Sequence, residues 1–467
     1  MKLSIRPMDA AWFYVEKPGA PAHFGPLFIL SKPKNHSRNY VKDLVEHWQQ
    51  QTNFRPPFNF LLNRKLVPHW EVLPKERMDL DYHVRYRVLP KPGGERELGC
   101  LIAELHSQPL SRKKPLWECY VIEGLEDNRF AIFLKLHHGQ FDGMGTVKLV
   151  QQSFSADPNR QGLLPFWCQQ NGDNINKHQT EKPKLDVAKL LSKTAKELAL
   201  FPSASYKAAK YFAKSYSGLA PKVTVPFQAP NSILNRRIDI ERRYTTQCFS
   251  LDRFKLIAEF AQVKINDIFL AIIGGGLRRY LSEIKKLPKQ SLIGQIPVNI
   301  RNDQNPGHGN RISFIYSQLG TDIENCVARL RVIGDRVRAS KESHDAIPPE
   351  QLDLFTMMIL TPYISQVVSG LSGVVAPAAN LVVSNVTGPK QRLYYNGARI
   401  EQIYGPSVLF HGQALNITMS SYADELTIGV TACDTVLPSI QKLAVYIGEE
   451  LRELEIELGA FEAQPLC

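Results

Sequence analysis

Apolar and polar positions along this chain follow two alternating periods. Runs with the two-residue period of strands predict β-structure, and runs with the 3.6-residue period predict helices. The strand-like runs are 23–30, 81–89, 129–136, 245–251, 292–301, 380–386, 414–422 and 426–433. The helical runs are 40–51, 143–154, 251–262, 265–284 and 437–458. Because strands and helices interleave in both halves, the pattern predicts an α/β fold for each half.

The pattern breaks between residues 166 and 235, where a polar stretch precedes two basic amphipathic segments, 185–200 and 206–216. We therefore divide the chain into an N-terminal unit (1–165), a basic helical linker (166–235) and a C-terminal unit (236–467). Two interpretations of the lysines stay open. They form a solvated face on packed helices, or they adhere to anionic lipid, where each lysine contributes about 1 kcal/mol.

Composition narrows the class of partner. The 467 residues are 43% hydrophobic and 22% charged, as in ordinary globular proteins, and a chain this long buries a large core. The excess of 57 basic over 45 acidic residues favours anionic partners such as a phospholipid surface or a phosphate-bearing ligand. Nucleic acid is not predicted as a partner, because no basic patch is interleaved with stacking aromatic residues.

Two features bear on location. The seven cysteines are scattered without a Cys-x-x-Cys pair, which favours a reducing compartment, and the N-terminal stretch lacks the apolar core of a signal peptide. The most apolar stretch, 367–383, is interrupted by serines, an asparagine and Pro377, so we expect buried protein there rather than a membrane span. We therefore expect a cytoplasmic protein that does not cross a bilayer.

The stretch "LKLHHGQFDGMG" (134–145) concentrates the candidate chemistry. His137 and His138 stand where a strand-like run ends. Adjacent strand residues point to opposite faces, so only one ring is expected to face a cleft. Asp142 stands where a helical run begins, the position at which a carboxylate caps free backbone N–H groups. The sequence thus predicts a rigid corner that presents one imidazole.

From the residues alone, three interpretations of this corner stay open. The histidines are ordinary packing residues, or they bind a metal together with Asp142, or one imidazole acts as a general base near neutral pH. Neighbours that face opposite ways make poor joint ligands, which weighs against the metal site. The glycines of "AIIGGGLRRY" (271–280) fall within a helical run and favour close helix packing over phosphate binding. Since the sequence also lacks a Gly-x-Ser-x-Gly nucleophile elbow, a base here indicates direct transfer to an external hydroxyl or amine.

The segment His-His-x-x-x-Asp-Gly, residues 137–143, is the signature of CoA-dependent acyltransferases. With its companion motifs, the whole chain resembles the bacterial wax ester synthase/diacylglycerol acyltransferase family. The companions are Pro-Leu-Trp at Pro115, Leu116 and Trp117, Asn-Asp at Asn266 and Asp267, and the stretches 6–16, 21–30, 296–301, 380–389 and 412–422.

This resemblance implies a fold similar to chloramphenicol acetyltransferase, with two such subdomains forming a pseudo-dimer around a central channel. It implies that His138 is the general base, that His137 supports it, and that Asp142 and Gly143 are structural. It also implies that fatty acyl-CoA is a substrate and that the chain holds no bound cofactor and no metal.

Further residues follow from the resemblance as expectations. Asn266 and Asn385 are candidate donors to the oxyanion of the tetrahedral intermediate, although either could cap a helix or turn, and Asp267 is expected to start a helix or line the channel. The positions expected to shape the channel are Pro115, Leu116, Trp117, Gly139 and Gln140.

One departure concerns the residues between the histidine pair and the aspartate, where relatives often carry small or aliphatic side chains. In this chain Gly139 is expected to enlarge the space beside the base, and Gln140 is expected to add a polar group. This departure does not change the proposed base, His138. It leaves open which acyl chain lengths and which acceptor alcohols the protein prefers.

The implied reaction joins a fatty acyl-CoA to a long-chain alcohol or to diacylglycerol and releases CoA. His138 takes the hydroxyl proton as the oxygen attacks the thioester, and returns it to the departing thiolate. Two alternatives remain: the same chemistry mainly on diacylglycerol or shorter alcohols, or a catalytically weak protein of this fold that coats storage lipid. Peripheral contact with the inner membrane or with lipid inclusions is a further expectation.

Overall fold

The computed structural model describes residues 2–63, 68–169, 213, 215–217, 222–299 and 312–459. Most of the two predicted basic segments lies outside these ranges, so both interpretations of the lysines stay predictions. Within the ranges described, no helix combines the length and the apolar character that crossing a membrane requires.

One large sheet lies mainly in the N-terminal half. Its strand order is β13 (Tyr394–Tyr395), β14 (Ala398–Tyr404), β3 (Leu27–Ser31), β8 (Arg129–His137), β7 (Trp117–Leu125) and β6 (Val84–Val88), and β2 (His23–Phe24) also pairs with β8. Neighbouring strands are antiparallel except β6 and β7, which are parallel. The predicted run 23–30 is thus divided into β2 and β3, with Gly25 and Pro26 between them.

A second large sheet occupies the C-terminal half. Its order is β11 (Ile312–Gln318), β10 (Ile293–Asn299), β12 (Leu381–Thr387), β15 (Leu415–Tyr422), β16 (Glu425–Cys433) and β9 (Arg242–Ser250). The central pairs β10–β12 and β12–β15 are parallel. A small antiparallel sheet joins β1 (Lys2–Ser4), β5 (His69–Val72) and β4 (Phe60–Asn63).

The helices interleave with these strands. They are α1 (Pro7–Val15), α2 (Tyr40–Gln49), α3 (Leu80–His83), α4 (Glu95–Ser107), α5 (Gly143–Ser153), α6 (Leu251–Ala261), α7 (Ile265–Glu283), α8 (Cys326–Asp345), α9 (Pro349–Ser369) and α10 (Gln441–Glu457). Short 3₁₀ turns cover Lys75–Arg77 and Ile233–Asn235. The predicted strand 81–89 is wrong in its first residues, because Asp79 caps the short helix α3 before β6 begins.

The two halves share part of their core. Helix α4 packs against β9, and Ile102 of α4 lies in one apolar cluster with Phe133 of β8 and Tyr244 of β9. Strand β14 pairs with β3 even though it comes from the C-terminal half of the sequence. The sequence boundary near residue 236 is therefore not the spatial boundary of the first sheet.

The three glycines of α7 show why this helix packs so closely. A Cβ at Gly274 would lie 1.8 Å from the Leu319 carbonyl oxygen, and one at Gly276 would lie 2.8 Å from an Ile447 side-chain carbon. At Gly275 a Cβ would lie 1.9 Å from Glu450 Oε2. The glycines thus make room for neighbouring chain segments, as predicted, and not for a phosphate.

Gly275→Ala should destabilise the protein by about 3 kcal/mol, because the new methyl group would separate the buried Arg329–Glu450 ion pair. Gly334→Ala on α8 is the matched control, since a Cβ there comes no closer than 3.8 Å to its neighbours. The control should gain up to about 1 kcal/mol from helix propensity. Urea unfolding measures both variants, and equal midpoints would contradict the steric argument.

One expectation about the apolar stretch 367–383 is wrong in part. The stretch ends α9, forms a turn and enters β12, and only its second part, from residue 377, is mostly buried. Val368, Leu371 and Val374 are exposed. Lack of charge predicted burial here, but Val368 lies on the exposed side of α9, and Leu371 and Val374 point outward from the turn that follows the helix.

Candidate active site

The His-His motif forms a tight corner between β8 and α5. The backbone N–H groups of Gln140 and Phe141 both donate to the His137 carbonyl oxygen, at 2.9 and 3.0 Å. Asp142 is the N-cap of α5, and its Oδ1 accepts from the Gly145 N–H at 2.5 Å. The helix therefore begins where the sequence predicted, with its first turn fixed by the aspartate.

Asp142→Ala should lower the free energy of unfolding by about 1 kcal/mol, because free N–H groups of α5 lose their acceptor. Asn325, whose Oδ1 caps α8 through the Ala328 N–H at 2.8 Å, supplies the matched control, and Asn325→Ala should show a similar loss. Thermal unfolding and kcat are measured together. An Asp142 variant of full stability but without activity would show that the carboxylate acts in catalysis.

His137 is a buried ring with a defined tautomer. It is 2% exposed and stacks on Phe13 with ring centroids 4.8 Å apart. Its Nδ1 accepts from the Gly139 N–H at 3.0 Å, so the proton of the neutral ring is on Nε2. That Nε2 lies 3.5 Å from Glu16 Oε2. This ring is therefore held in packing and does not face a cleft.

Glu16 joins His137 to the rest of the corner. One carboxylate oxygen faces His137 and pairs with Arg112, while the other accepts from the Ala22 N–H at 3.3 Å. Burial acts to raise the pKa of Glu16, but His137 and then Arg112 outweigh it and lower the pKa to about 2. The site thus contains a fixed carboxylate. Sequence reasoning missed both Glu16 and Arg112, because no local spacing connects them with the motif.

His138 has a different environment. Its ring stacks on Trp12 with centroids 3.9 Å apart and planes 12° apart, and Phe24 lies 4.5 Å away. Its backbone N–H donates to the Ala22 carbonyl oxygen at 2.8 Å. The Nδ1 atom is buried while the residue as a whole keeps partial exposure, so the edge that carries Nε2 is the accessible one. Burial lowers the pKa of His138 to about 3.

The expectation for Gly139 beside the base is corrected. Gly139 does not enlarge the space there, because a Cβ would lie 2.7 Å from the Phe13 ring, which fills it. Gln140 adds a polar group, as expected from the sequence, and its Nε2 donates to the Pro57 carbonyl oxygen at 2.5 Å. Both residues therefore tie the corner to neighbouring chain segments.

Gly139→Ala should lower kcat by about ten- to a hundredfold and the free energy of unfolding by about 1–3 kcal/mol, because Phe13 must move and His137 stacks on Phe13. Gly143→Ala is the control for folding, since a Cβ at Gly143 meets nothing within 4 Å. Its melting temperature should equal that of the parent protein. An unchanged kcat in Gly139→Ala would show that the close contact with Phe13 has no part in positioning.

The Pro-Leu-Trp segment packs against the buried side of the corner between β8 and α5. The Leu116 carbonyl oxygen accepts from the His137 N–H at 3.1 Å, and the Leu116 side chain packs with Phe13. Trp117 is fully buried, stacks on His83 at 4.2 Å and donates through Nε1 to the Phe58 carbonyl oxygen at 2.7 Å. Leu116 and Trp117 are thus packing residues, and the backbone of Leu116 holds His137, the neighbour of the proposed base.

The two asparagines lie together on the C-terminal half. Asn385 of β12 donates through Nδ2 to Asn266 Oδ1 on α7 at 3.4 Å. Asp267 accepts from the Lys264 N–H at 3.1 Å, which makes it a helix-start residue. No hydrogen bond joins either asparagine to His138 in the described part of the chain. The oxyanion role of Asn266 and Asn385 therefore stays a prediction.

The motif does not form a metal-binding cluster. Among the residues described, no three His, Cys, Asp or Glu side chains are arranged so that they could hold a metal ion. The two rings also belong to separate stacks, His137 on Phe13 and His138 on Trp12. The arrangement instead offers one accessible imidazole edge backed by a buried framework.

Comparison with known proteins agrees with the motifs. The model of the wax ester synthase/diacylglycerol acyltransferase catalytic domain matches residues 5–269, and the model of the family's C-terminal domain matches residues 308–455. The chain is 37% identical to the O-acyltransferase WSD of Acinetobacter baylyi, over 97% of this chain and 96% of that one. The chain belongs to the wax ester synthase/diacylglycerol acyltransferase family.

Further family members support the assignment. A putative diacylglycerol O-acyltransferase of Mycobacterium tuberculosis is 36% identical over 98% of both chains. The solved structure of a wax ester synthase/diacylglycerol acyltransferase from Marinobacter aquaeolei VT8 is 29% identical and matches with a TM-score of 0.79, over 98% of this chain and 100% of that one. The predicted mixed α/β fold with two domains is therefore confirmed.

Proposed function

We propose that this family member transfers a fatty acyl group from CoA to the hydroxyl of a long-chain alcohol, and also to diacylglycerol. Its class, an O-acyltransferase, follows from family membership. The observation that carries the mechanism is the accessible Nε2 edge of His138 in an aromatic enclosure, with Nδ1 buried. A fixed imidazole of this kind is suited to take a proton from a hydroxyl.

In the proposed reaction, His138 takes up one proton and later returns it. As the alcohol oxygen forms its bond to the thioester carbonyl carbon, the hydroxyl proton passes to Nε2. The tetrahedral intermediate then breaks its carbon–sulfur bond, and the same proton passes to the CoA thiolate. No bond to the protein forms in this step.

Burial lowers the pKa of His138 to about 3, so the imidazole is neutral at pH 7. Trp12 and Phe24 keep the protonated ring in apolar surroundings, which favours passing the proton on to the thiolate. The proposed oxyanion donors are Asn266 and Asn385, and one such donor contributes about 3 kcal/mol to the transition state.

The proposal also includes contact with a lipid surface. Both acceptors dissolve in lipid rather than in water, so an enzyme that takes them from a membrane or a lipid inclusion needs peripheral contact. The formal net charge of +12 favours surfaces that carry anionic headgroups.

The deciding experiment measures free thiol released by the purified protein from palmitoyl-CoA in the presence of hexadecanol, diacylglycerol or shorter alcohols. Thiol release that depends on the acceptor, with a matching ester product, is the expected result. The relative rates rank the acceptors and separate wax ester formation from triacylglycerol formation. Absence of release with every acceptor would reject the proposed activity and leave only a lipid-coating role.

A further inference from the structure

A long stretch of the chain carries no charge and yet reaches the surface. Residues 354–389 contain no Asp, Glu, Lys, Arg or His. This stretch includes most of α9 and the turn that follows it. Five large apolar side chains here are exposed to between 39% and 71%. We call them the apolar face: Met357, Val368, Leu371, Val374 and Val375.

The apolar face is continuous along α9. Exposed positions recur at 357, 361, 365 and 368, the spacing of one helix face, and the polar members Thr361 and Ser365 are uncharged. A large exposed apolar patch is uncommon on a soluble monomer and marks an interaction site when it occurs. The composition of the face therefore indicates a partner with an apolar surface.

The turn at the end of α9 is rigid. The N–H groups of Leu371 and Ser372 both donate to the Gln366 carbonyl oxygen, at 2.9 and 3.1 Å. Arg237 Nη1 donates to the Gly370 carbonyl oxygen at 2.9 Å. Leu371 and Val374 are thus presented outward by a fixed backbone rather than by a loose loop.

Basic residues lie beside this turn. Arg237 contacts the turn directly, and both Arg236 and Arg237 are exposed. Apolar side chains next to arginines match the boundary of a phospholipid membrane, where acyl chains meet anionic headgroups. The exposed arginines beside the apolar side chains therefore favour a surface of anionic headgroups.

A row of aromatic rings connects α9 with the base. Tyr363 of α9 meets Phe410 with ring centroids 6.2 Å apart, and Phe410 lies 5.8 Å from Trp12. Trp12 stacks on His138 at 3.9 Å. The helix that carries the apolar face therefore touches the same aromatic enclosure that holds the imidazole.

We propose that the apolar face docks on an anionic phospholipid membrane and so places a membrane-dissolved acceptor beside α9, the helix that contacts the aromatic enclosure of His138 through Tyr363 and Phe410. Leu371 and Val374 enter the acyl-chain boundary, while Arg236 contacts headgroup phosphate. This inference rests on the proposed function, because it names the surface at which the enzyme takes up a membrane-dissolved alcohol or diacylglycerol.

The binding test uses sedimentation of the full chain with vesicles of dioleoyl phosphatidylcholine and phosphatidylglycerol. The double variant Leu371→Asp with Val374→Asp should weaken binding by about tenfold or more, because two apolar anchors become charged. The matched control is Phe260→Asp with Val445→Asp, which changes two exposed apolar residues on α6 and α10 by the same charge. The control should bind like the parent protein.

The electrostatic part of the proposal has its own variant. Arg236→Gln should weaken binding about fivefold on vesicles with phosphatidylglycerol and leave binding to pure phosphatidylcholine unchanged. Failure of the parent protein to bind vesicles, or equal loss in the α6–α10 control, would overturn the proposal. It would also be overturned if the Leu371/Val374 variant changed a dimer into a monomer in sedimentation without vesicles, since the face would then join two copies.

An activity test separates docking from chemistry. The Leu371/Val374 variant should lose most of its rate on diacylglycerol embedded in vesicles but keep its rate with decanoyl-CoA and dissolved hexan-1-ol. Equal rates of variant and parent on embedded diacylglycerol would reject the docking face while the proposed function stands. A parent protein that turns over neither acceptor would reject the proposed function itself.

Discussion

Replacing His138 by alanine should lower kcat by about 10²–10⁴-fold, the usual effect of removing a positioned general base. The ring that takes the hydroxyl proton would be gone, while Glu16, His137 and the capped helix α5 would keep their mutual contacts. KM for the acyl-CoA should change little, because the ring acts on the proton and not on the binding of CoA. Steady-state release of free thiol measures both quantities.

Two controls make this result specific to His138. His47→Ala removes an exposed imidazole on α2, remote in sequence from the motif, and should leave kcat unchanged. Far-ultraviolet circular dichroism of His138→Ala should match the parent, because the backbone contacts of the corner remain. Activity within about tenfold of the parent would remove His138 from the mechanism.

The free energy of unfolding should fall more steeply with decreasing pH than the carboxylates of this protein alone would predict. Besides His138, three further histidines are buried and have lowered pKa values, chiefly because burial disfavours the charged ring. The pKa of His83 is about 4, the pKa of His106 is about 3, and that of His23 is well below its usual value. These rings are neutral in the folded protein below pH 6.5, whereas the same rings in the unfolded chain take up protons.

The sign of the effect follows from that difference. Above pH 6.5 neither state is protonated, so the three rings do not change stability. As the pH falls below 6.5 these three rings alone let the unfolded chain bind up to three more protons, and stability falls by at most about 4 kcal/mol per pH unit. For a stability of about 5 kcal/mol, the low end of the usual range, this places the loss of structure near or below about pH 5.3.

Urea unfolding at half-unit intervals from pH 7.5 to 4.5 measures this dependence. The midpoint should be constant above pH 7 and should fall steeply below 6.5. Glu16 cannot account for a loss in this range, because its pKa is lowered to about 2 and its stabilising contribution is lost only below pH 4.5. A midpoint that stays constant down to pH 5 would show that the three rings take up protons in the folded state.

Much of the local structure at the site could be predicted from short segments. The apolar run before His137 predicted β8, and the helical run after Asp142 predicted α5, since each depends on residues adjacent in sequence. Capping by Asp142 was predictable for the same reason. The expectation for Gly139 failed, because it assumed that a missing side chain leaves a space, and only the fold could show that Phe13 fills it.

The partners of the two rings could not be predicted. Trp12 precedes His138 by more than a hundred residues, and Arg112 reaches Glu16 from a different segment again. No periodicity or motif spacing in a sequence indicates such contacts between distant residues, because the contacts form only when separate helices and strands pack together. The outward projection of Leu371 and Val374 is a similar case, since their apolar character alone favoured burial.

The sequence by itself determined the family, the alternation of strands and helices, and the corner at which two histidines meet a capped helix. Those properties depend on local periods and on motifs of adjacent residues. The tertiary structure decided which imidazole is accessible, which carboxylate faces the other ring, and which apolar residues reach the surface. Those depend on contacts between distant segments, and folding alone brings such segments together.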